Sequence, residues 1–276
     1  MQHIIKIKFL YFEIMIALLM VMALGVVIAW KTSSSFGKIP IVKRKLARTD
    51  RILVITAHPD DECMFFGPFI LSAVQKWGAT VAVLCCSTGN NEGKGVIRSK
   101  ELLNACGELG VSADNVQCLD NSQLPDHSLK RWKFETLREV IQEKVSAFRP
   151  TVIATFDAHG VSGHRNHCDL ADAVTAMQTN GHLPRGVRVL LLKSVSILRK
   201  YFKYADAALT IHLDFDLIAL VNRENESVIS RAMRAHRSQM VWFRWLYITF
   251  SRYMLVNTFD EIPEPERRTF RKAEHR

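Results

Sequence analysis

Apolar residues of this chain fall into short continuous runs, separated by longer stretches in which they recur at helical spacing. Residues 51–56 (Arg-Ile-Leu-Val-Ile-Thr) form one such run, and 80–86, 116–119 and 151–156 repeat the pattern. Short apolar runs rich in β-branched residues read as strands buried on both faces of a parallel sheet. Between them, 64–77, 99–109 and 129–148 carry the period of amphipathic helices, with Gly110 and Pro150 as stops. Further strands are expected at 187–195 and 209–213, and helices at 169–177 and 221–234. Strands alternating with helices predict an α/β fold, a Rossmann-like and mostly parallel sheet with helices on both faces.

The N-terminus follows another rule. Residues 9–30 are apolar except for Glu13, and 14–30 carry no charge. A membrane-spanning helix needs about 20 mainly apolar residues, so one N-terminal transmembrane helix is expected ahead of the α/β domain. A cleaved leader has an apolar region of about 7 to 15 residues and a small-residue cleavage site, and no good site precedes Trp30-Lys31. The expected organisation is an anchor over 1–31, a linker over 32–48, a globular domain over 49–258 and a charged tail over 259–276. Lys6 and Lys8 precede the span, whereas Lys31, Lys38, Lys43, Arg44, Lys45, Arg48 and Arg51 follow it. The more basic flank stays in the cytosol, which puts the domain there. Cysteine usage agrees, since the six cysteines include no Cys-x-x-Cys pair and no disulfide-scaffold density. The net charge of +10 favours anionic surfaces, and with no nucleic-acid-binding motif the expected surface is a membrane.

Chemistry concentrates just after two of the strands. His58-Pro59-Asp60-Asp61-Glu62 follows the first, where open α/β sheets collect their ligands. One imidazole and three carboxylates beside a core strand are costly unless something compensates them, and a divalent metal does so. A dinucleotide would need closely spaced glycines in this turn, and these carboxylates repel a pyrophosphate. The second cluster, from Asp157 through His159 and His164 to His167, follows the run at 151–156. Imidazole and carboxylate suit zinc, and a catalytic zinc keeps three protein ligands and one open position. His58, Asp61 and one histidine of the second cluster would supply them.

The pairing of His58-Pro59-Asp60-Asp61-Glu62 with Gly163-His164-Arg165-Asn166-His167 resembles the metal-dependent de-N-acetylases that act on N-acetylglucosaminyl-phosphatidylinositol. The resemblance extends over about residues 51–253. Ser162 to His167 and Trp242-Phe243-Arg244-Trp245-Leu246-Tyr247 are similar to the membrane-bound eukaryotic branch. It implies His58, Asp61 and His167 as metal ligands, with Zn2+ or another divalent metal as cofactor. It implies that the domain over 49–258 removes acetate from N-acetylglucosaminyl-phosphatidylinositol, giving glucosaminyl-phosphatidylinositol. That reaction is the second step of glycosylphosphatidylinositol-anchor synthesis, at the cytosolic face of the endoplasmic reticulum membrane.

Asp60 is the candidate general base, because an amide releases its amine only when that nitrogen is protonated; the plainer role is a helix cap. The resemblance gives His164 the task of stabilising the tetrahedral oxyanion, and Asp157 is the expected acidic partner if that imidazole is charged. His159 is a competing ligand, and Glu62 is open between supporting the site and sitting in a first helical turn. Arg98 matches a substrate-binding position, where its planar fork suits hydroxyls or phosphate. Asp120, after a strand, is a second candidate for sugar hydroxyls. The aromatic run at 240–256 is short for a span and suited to a membrane interface, with an ordinary core element as the alternative. Rival readings are the same chemistry on another N-acetylglucosaminyl conjugate, or a non-catalytic member that binds the glycolipid or a partner. A zinc deaminase is disfavoured because its Cys-x-x-Cys is missing.

Overall fold

The computed structural model describes residues 46–127 and 130–264. The expected anchor, most of the linker and most of the tail lie outside them. Among the described residues, no helix is long and apolar enough to cross a membrane.

The strands are β1 (Arg51–Thr56), β2 (Thr80–Cys85), β3 (Val116–Cys118), β4 (Val152–Phe156), β5 (Arg188–Leu192), β6 (Leu217–Leu220) and β7 (Val256–Ile262). They form one seven-stranded sheet in the order β3-β2-β1-β4-β5-β7-β6. The first five are parallel, and β7 and β6 close one edge antiparallel. The central β1 pairs Leu53 with Ala82 on one side and Ile153 on the other, and Ile52 to Ile55 are wholly buried. That accounts for the unbroken apolar run, since both faces of the strand are covered.

The strand order runs one way from β1 to β3 and the other way from β1 through β4 to β5. With right-handed crossovers, helices before and after this reversal fall on opposite faces. On one side lie α1 (Asp61–Met64), α2 (Gly67–Leu71) and α3 (Gly95–Glu108). On the other, α4 (Phe134–Phe148) packs against α5 (Arg165–Thr179), and both touch β1. Apart from an irregular turn at Gly160–Gly163, the remaining α-helices are α6 (Ile197–Tyr201), α7 (Lys203–Thr210), α8 (Arg223–Ala235) and α9 (Trp242–Phe250). A reversal of this kind opens a crevice beyond the carboxyl ends of the two strands beside it, here β1 and β4.

Several elements depart from the sequence expectation. The helix expected over 64–77 is broken into α1, α2 and a wide π-type turn at Ser72–Lys76. Pro68 restarts the helix, as suits a residue lacking an N–H, and a Cβ on Gly67 would stand 2.6 Å from Ile229 Cγ2 of α8. The helix expected from 129 begins at Phe134, because Asp169 accepts the Trp132 N–H at 2.8 Å and draws the preceding chain away. The strand expected at 209–213 is instead the end of α7 and a turn, with β6 following. A short apolar run does not distinguish strand from helix, and buried Asp206 ties α7 inward through Arg252 at 2.7 Å. The sheet also reaches past the expected start of the tail, since β7 continues through buried Phe259 to Ile262.

Candidate active site

The turn after β1 is built to aim side chains outward. Asp61 Oδ2 accepts the N–H groups of Ala57 and His58 at 3.0 and 2.9 Å. Asp60 takes φ +117°, a strained backbone for a non-glycine residue, and its N–H is held by Glu62 Oε2 at 3.0 Å. Asp60 therefore caps α1 by position only; its side chain makes no capping hydrogen bond. After β4 the chain turns at Gly160, φ +54°, where a Cβ would stand 2.8 Å from His167 Cβ. The helix expected from 169 begins at Arg165, which puts His167 on α5 and not in the preceding loop.

These two turns bring five of the expected residues together. His167 stacks on Phe156 with centroids 4.0 Å apart, and its Nδ1 lies 3.1 Å from the Gly160 carbonyl. A carbonyl only accepts, so Nδ1 donates and the neutral ring keeps its lone pair on Nε2. That Nε2 is 3.3 Å from Asp61 Oδ2, and His58 Nδ1 is 3.7 Å from the same oxygen. Ring nitrogens of His58, His164 and His167 lie within 4.8 Å of one another. His58 Nε2, His164 Nδ1 and His167 Nε2 are buried without a hydrogen-bond partner. Buried polar atoms are normally paired. Converging lone pairs beside a carboxylate are what a divalent cation takes up, so the residues present fit the expected metal, with His164 near enough to share in the cluster.

Electrostatics separate the two aspartates. Burial raises the pKa of Asp60 against the pull of Arg244, whose Nη2 donates to Asp60 Oδ2 at 2.7 Å, and the Asp61 charge raises it further. Asp61 is also buried, but His167 and His58 outweigh that and hold it below the usual carboxylate range. For His164, burial first and then the neighbouring His58 and His167 imidazoles lower the pKa to about 4. It is a neutral donor at physiological pH. Asp157 is not its partner: both Asp157 oxygens are taken by Ser194, from the backbone N–H at 2.7 Å and the hydroxyl at 2.5 Å. Asp157 Oδ1 also accepts the His159 N–H, and His159 itself is exposed and outside the cluster.

Arg98 is buried, and its guanidinium donates to the carbonyls of Gly89 and Pro59 at 2.8 and 2.7 Å. It packs so close that a Cβ on Gly89 would stand 2.3 Å from Arg98 Nη1. Arg98 thus buttresses the aspartate turn while facing the cavity, 3.8 Å from Asp60 Oδ1. Asp120 is exposed beyond β3 and outside the cavity lining. The carboxylate that reaches the site from this segment is Asp126, 3.3 Å from His58 Nε2 without hydrogen-bond alignment, and 3.5 Å from Arg98 Nη1. Sequence reasoning missed Asp126; its signal was a carboxylate a few residues beyond a strand end. It also missed Arg244, hidden inside the aromatic run. Glu62 turns the other way, and its Oε1 meets fully buried His236 Nε2 at 2.6 Å.

The cluster floors a cavity of about 610 Å³. Its walls carry Lys200 and Arg244 beside Tyr201, Phe243, Leu246 and Phe250. Such a space can hold a sugar against the histidines, an anionic group at the cations and an apolar chain along the outer wall.

The model of the family described as GlcNAc-PI de-N-acetylase matches residues 53–178. The N-acetylglucosaminyl-phosphatidylinositol de-N-acetylase of Bos taurus is 42% identical over 210 residues, 76% of this chain and 83% of that protein. The probable enzyme of the same name from Schizosaccharomyces pombe is 36% identical over 221 residues, 78% of this chain and 88% of that one. Among solved structures, N,N'-diacetylchitobiose deacetylase from Pyrococcus horikoshii superposes with a TM-score of 0.55 at 17% identity. The match covers 78% of this chain and 84% of that one, and it shows a shared fold.

Proposed function

The chain belongs to the GlcNAc-PI de-N-acetylase family, and we propose that it hydrolyses the acetamide of N-acetylglucosaminyl-phosphatidylinositol to glucosaminyl-phosphatidylinositol and acetate. The reaction is the deacetylation step of glycosylphosphatidylinositol-anchor synthesis. The observation that carries this reading is the set of unpartnered imidazole nitrogens beside an aspartate of raised pKa. A divalent metal, zinc by its donor set, would be held by His58, Asp61 and His167, and would supply a Lewis acid that polarises the acetamide and acidifies water. Asp60 Oδ1, the oxygen that Arg244 leaves free, accepts the proton of the attacking water. Its raised pKa lets it pass that proton on to the sugar nitrogen as the C–N bond breaks. Neutral His164 donates a ring N–H to the carbonyl oxygen as negative charge gathers there. Gly160 fixes the His167 tautomer, and Arg244 holds the Asp60 carboxylate in place.

The setting we infer is the endoplasmic reticulum membrane, with the domain on the cytosolic side. The apolar run at 9–30 and its basic flank support this reading. The test is acetate release from N-acetylglucosaminyl-phosphatidylinositol by purified full-length protein. Activity should vanish with chelator, return with zinc, and be absent in His167→Ala at any metal concentration. Folded, metal-loaded protein that releases no acetate from this lipid, but does so from another N-acetylglucosaminyl conjugate, would move the substrate assignment there.

A further inference from the structure

Large exposed apolar side chains are not scattered over this molecule. Most of those among the described residues sit in two short segments, 197–213 and 241–250. On α9, Trp242 (75% exposed), Trp245, Leu246 and Phe250 recur at helical spacing along one side, while Tyr247 turns inward and donates to the Met64 carbonyl at 2.9 Å. On α6, Ile197 and Leu198 are 73% and 69% exposed, with Tyr201 one turn on. The two helices pack together, with Lys200 Nζ 6.0 Å from the Tyr247 ring. Buried Lys203 fixes the arrangement by donating to the Ile248 carbonyl at 2.8 Å. Soluble surfaces rarely gather such side chains into one region without an occupant.

We propose that α6 and α9 form a bilayer-docking platform that seats the cavity mouth in the headgroup layer, so that lipid substrate enters sideways from the membrane. The proposal rests on the phospholipid substrate of the preceding reading. The platform is continuous with the site: Tyr201, Phe243, Leu246 and Phe250 belong both to the exposed surface and to the cavity wall. A protein partner on the same face would close the entrance. A membrane there supplies the substrate. The residue types agree, since tryptophan and tyrosine favour the interfacial zone. Lys200 and Arg244 line the same cavity, where their charges can meet a phosphodiester whose acyl chains stay in the bilayer. The net charge of +10 adds attraction to anionic lipid.

Trp242, Trp245, Ile197 and Leu198 do not line the cavity, so they separate docking from chemistry. The full-length protein is reconstituted in nanodiscs of phosphatidylcholine and phosphatidylinositol, with or without brominated acyl chains. In a Trp30→Phe background, which removes the tryptophan at the end of the expected span, bromine should quench tryptophan fluorescence, and the quenched component should disappear when Trp242→Phe/Trp245→Phe is added. In parallel, Leu198→Ser/Trp242→Ser/Trp245→Ser is assayed on the bilayer-borne lipid and on water-soluble N-acetylglucosaminyl-inositol. Losing two or more interfacial anchors should lower the rate on bilayer lipid about tenfold or more, with the soluble substrate unaffected. Tryptophans indifferent to bromine, or a variant as active as wild type on the bilayer lipid, overturn the platform. Shielded tryptophans in a particle holding two copies also overturn it, assigning the face to self-association. Protein inactive on both substrates whose Trp242 and Trp245 are nonetheless quenched would sink the substrate reading and leave the docking standing.

Discussion

Asp60 and Glu62 lie two residues apart on the same turn, each facing cationic or imidazole partners, yet their surroundings differ in one decisive respect. Unpartnered imidazole nitrogens occur on both sides, His236 Nδ1 among them, but those around Asp60 border a cavity. Around Glu62 the carboxylate is consumed: one oxygen takes the Asp60 N–H, and the other takes the Cys63 thiol and His236 Nε2. Both Glu62 and His236 are wholly buried, away from the cavity. Glu62, Cys63 and His236 are close enough to resemble a metal site. The 2.6 Å Glu62–His236 contact instead makes them a sealed ion pair that holds the strained turn in place. Clustered donors become a site when their lone pairs are left unspent and something can reach them.

The two sides should therefore fail differently. Asp60→Asn is expected to lower acetate release by about 10²- to 10⁴-fold, the usual worth of a general base, with little change in the urea midpoint. Glu62→Ala should do the reverse. It strands His236 in the core, which costs about 3–5 kcal/mol for a broken buried pair, while the rate per folded molecule falls less than in Asp60→Asn. Urea unfolding and active-site-normalised rates on both variants check this. A Glu62→Ala protein of unchanged stability would dissolve the contrast.

A smaller effect reads the sealed side by pH. Burial lowers the pKa of His236, but the Glu62 carboxylate more than reverses this and leaves it raised above 6.5. A group whose folded pKa is raised contributes stability fully below its unfolded value and loses it as pH climbs through the folded one. Wild-type stability should thus decline on the alkaline side of about pH 6.5, and His236→Gln should flatten that decline. An identical slope in the variant would assign the dependence to other groups.

Much of the site was legible because it is local. His58 to Glu62 follows the most regular apolar run of the chain, and the second histidine pair follows another, so strand ends alone place both clusters at one sheet edge. What escaped depends on contacts distant in sequence. Arg244 reaches Asp60 across 184 positions, and His236 reaches Glu62 across 174. No periodicity reports such pairs. The antiparallel edge was hidden for a related reason, since β7 emerges from an aromatic stretch whose apolar content fits core, interface or strand equally well. Asp120 and Asp126 show the limit within a loop, for the sequence marks that a carboxylate lies beyond β3 but not which one turns inward.

The open side has its own, finer test in Arg244. Its guanidinium is the largest influence opposing the upward drift of the Asp60 pKa. Removing that charge in Arg244→Met should raise the Asp60 pKa further, because only burial and the Asp61 carboxylate would remain dominant. Asp60 accepts a proton only when ionised, so the acid limb of the rate profile should move to higher pH. The loss should be about three- to tenfold near neutral pH and recover at alkaline pH. A full pH profile on water-soluble N-acetylglucosaminyl-inositol isolates this from any grip on the lipid phosphate. If the limb stays put and only KM for the bilayer lipid rises, Arg244 serves the substrate, and burial with the other charged neighbours sets the Asp60 environment.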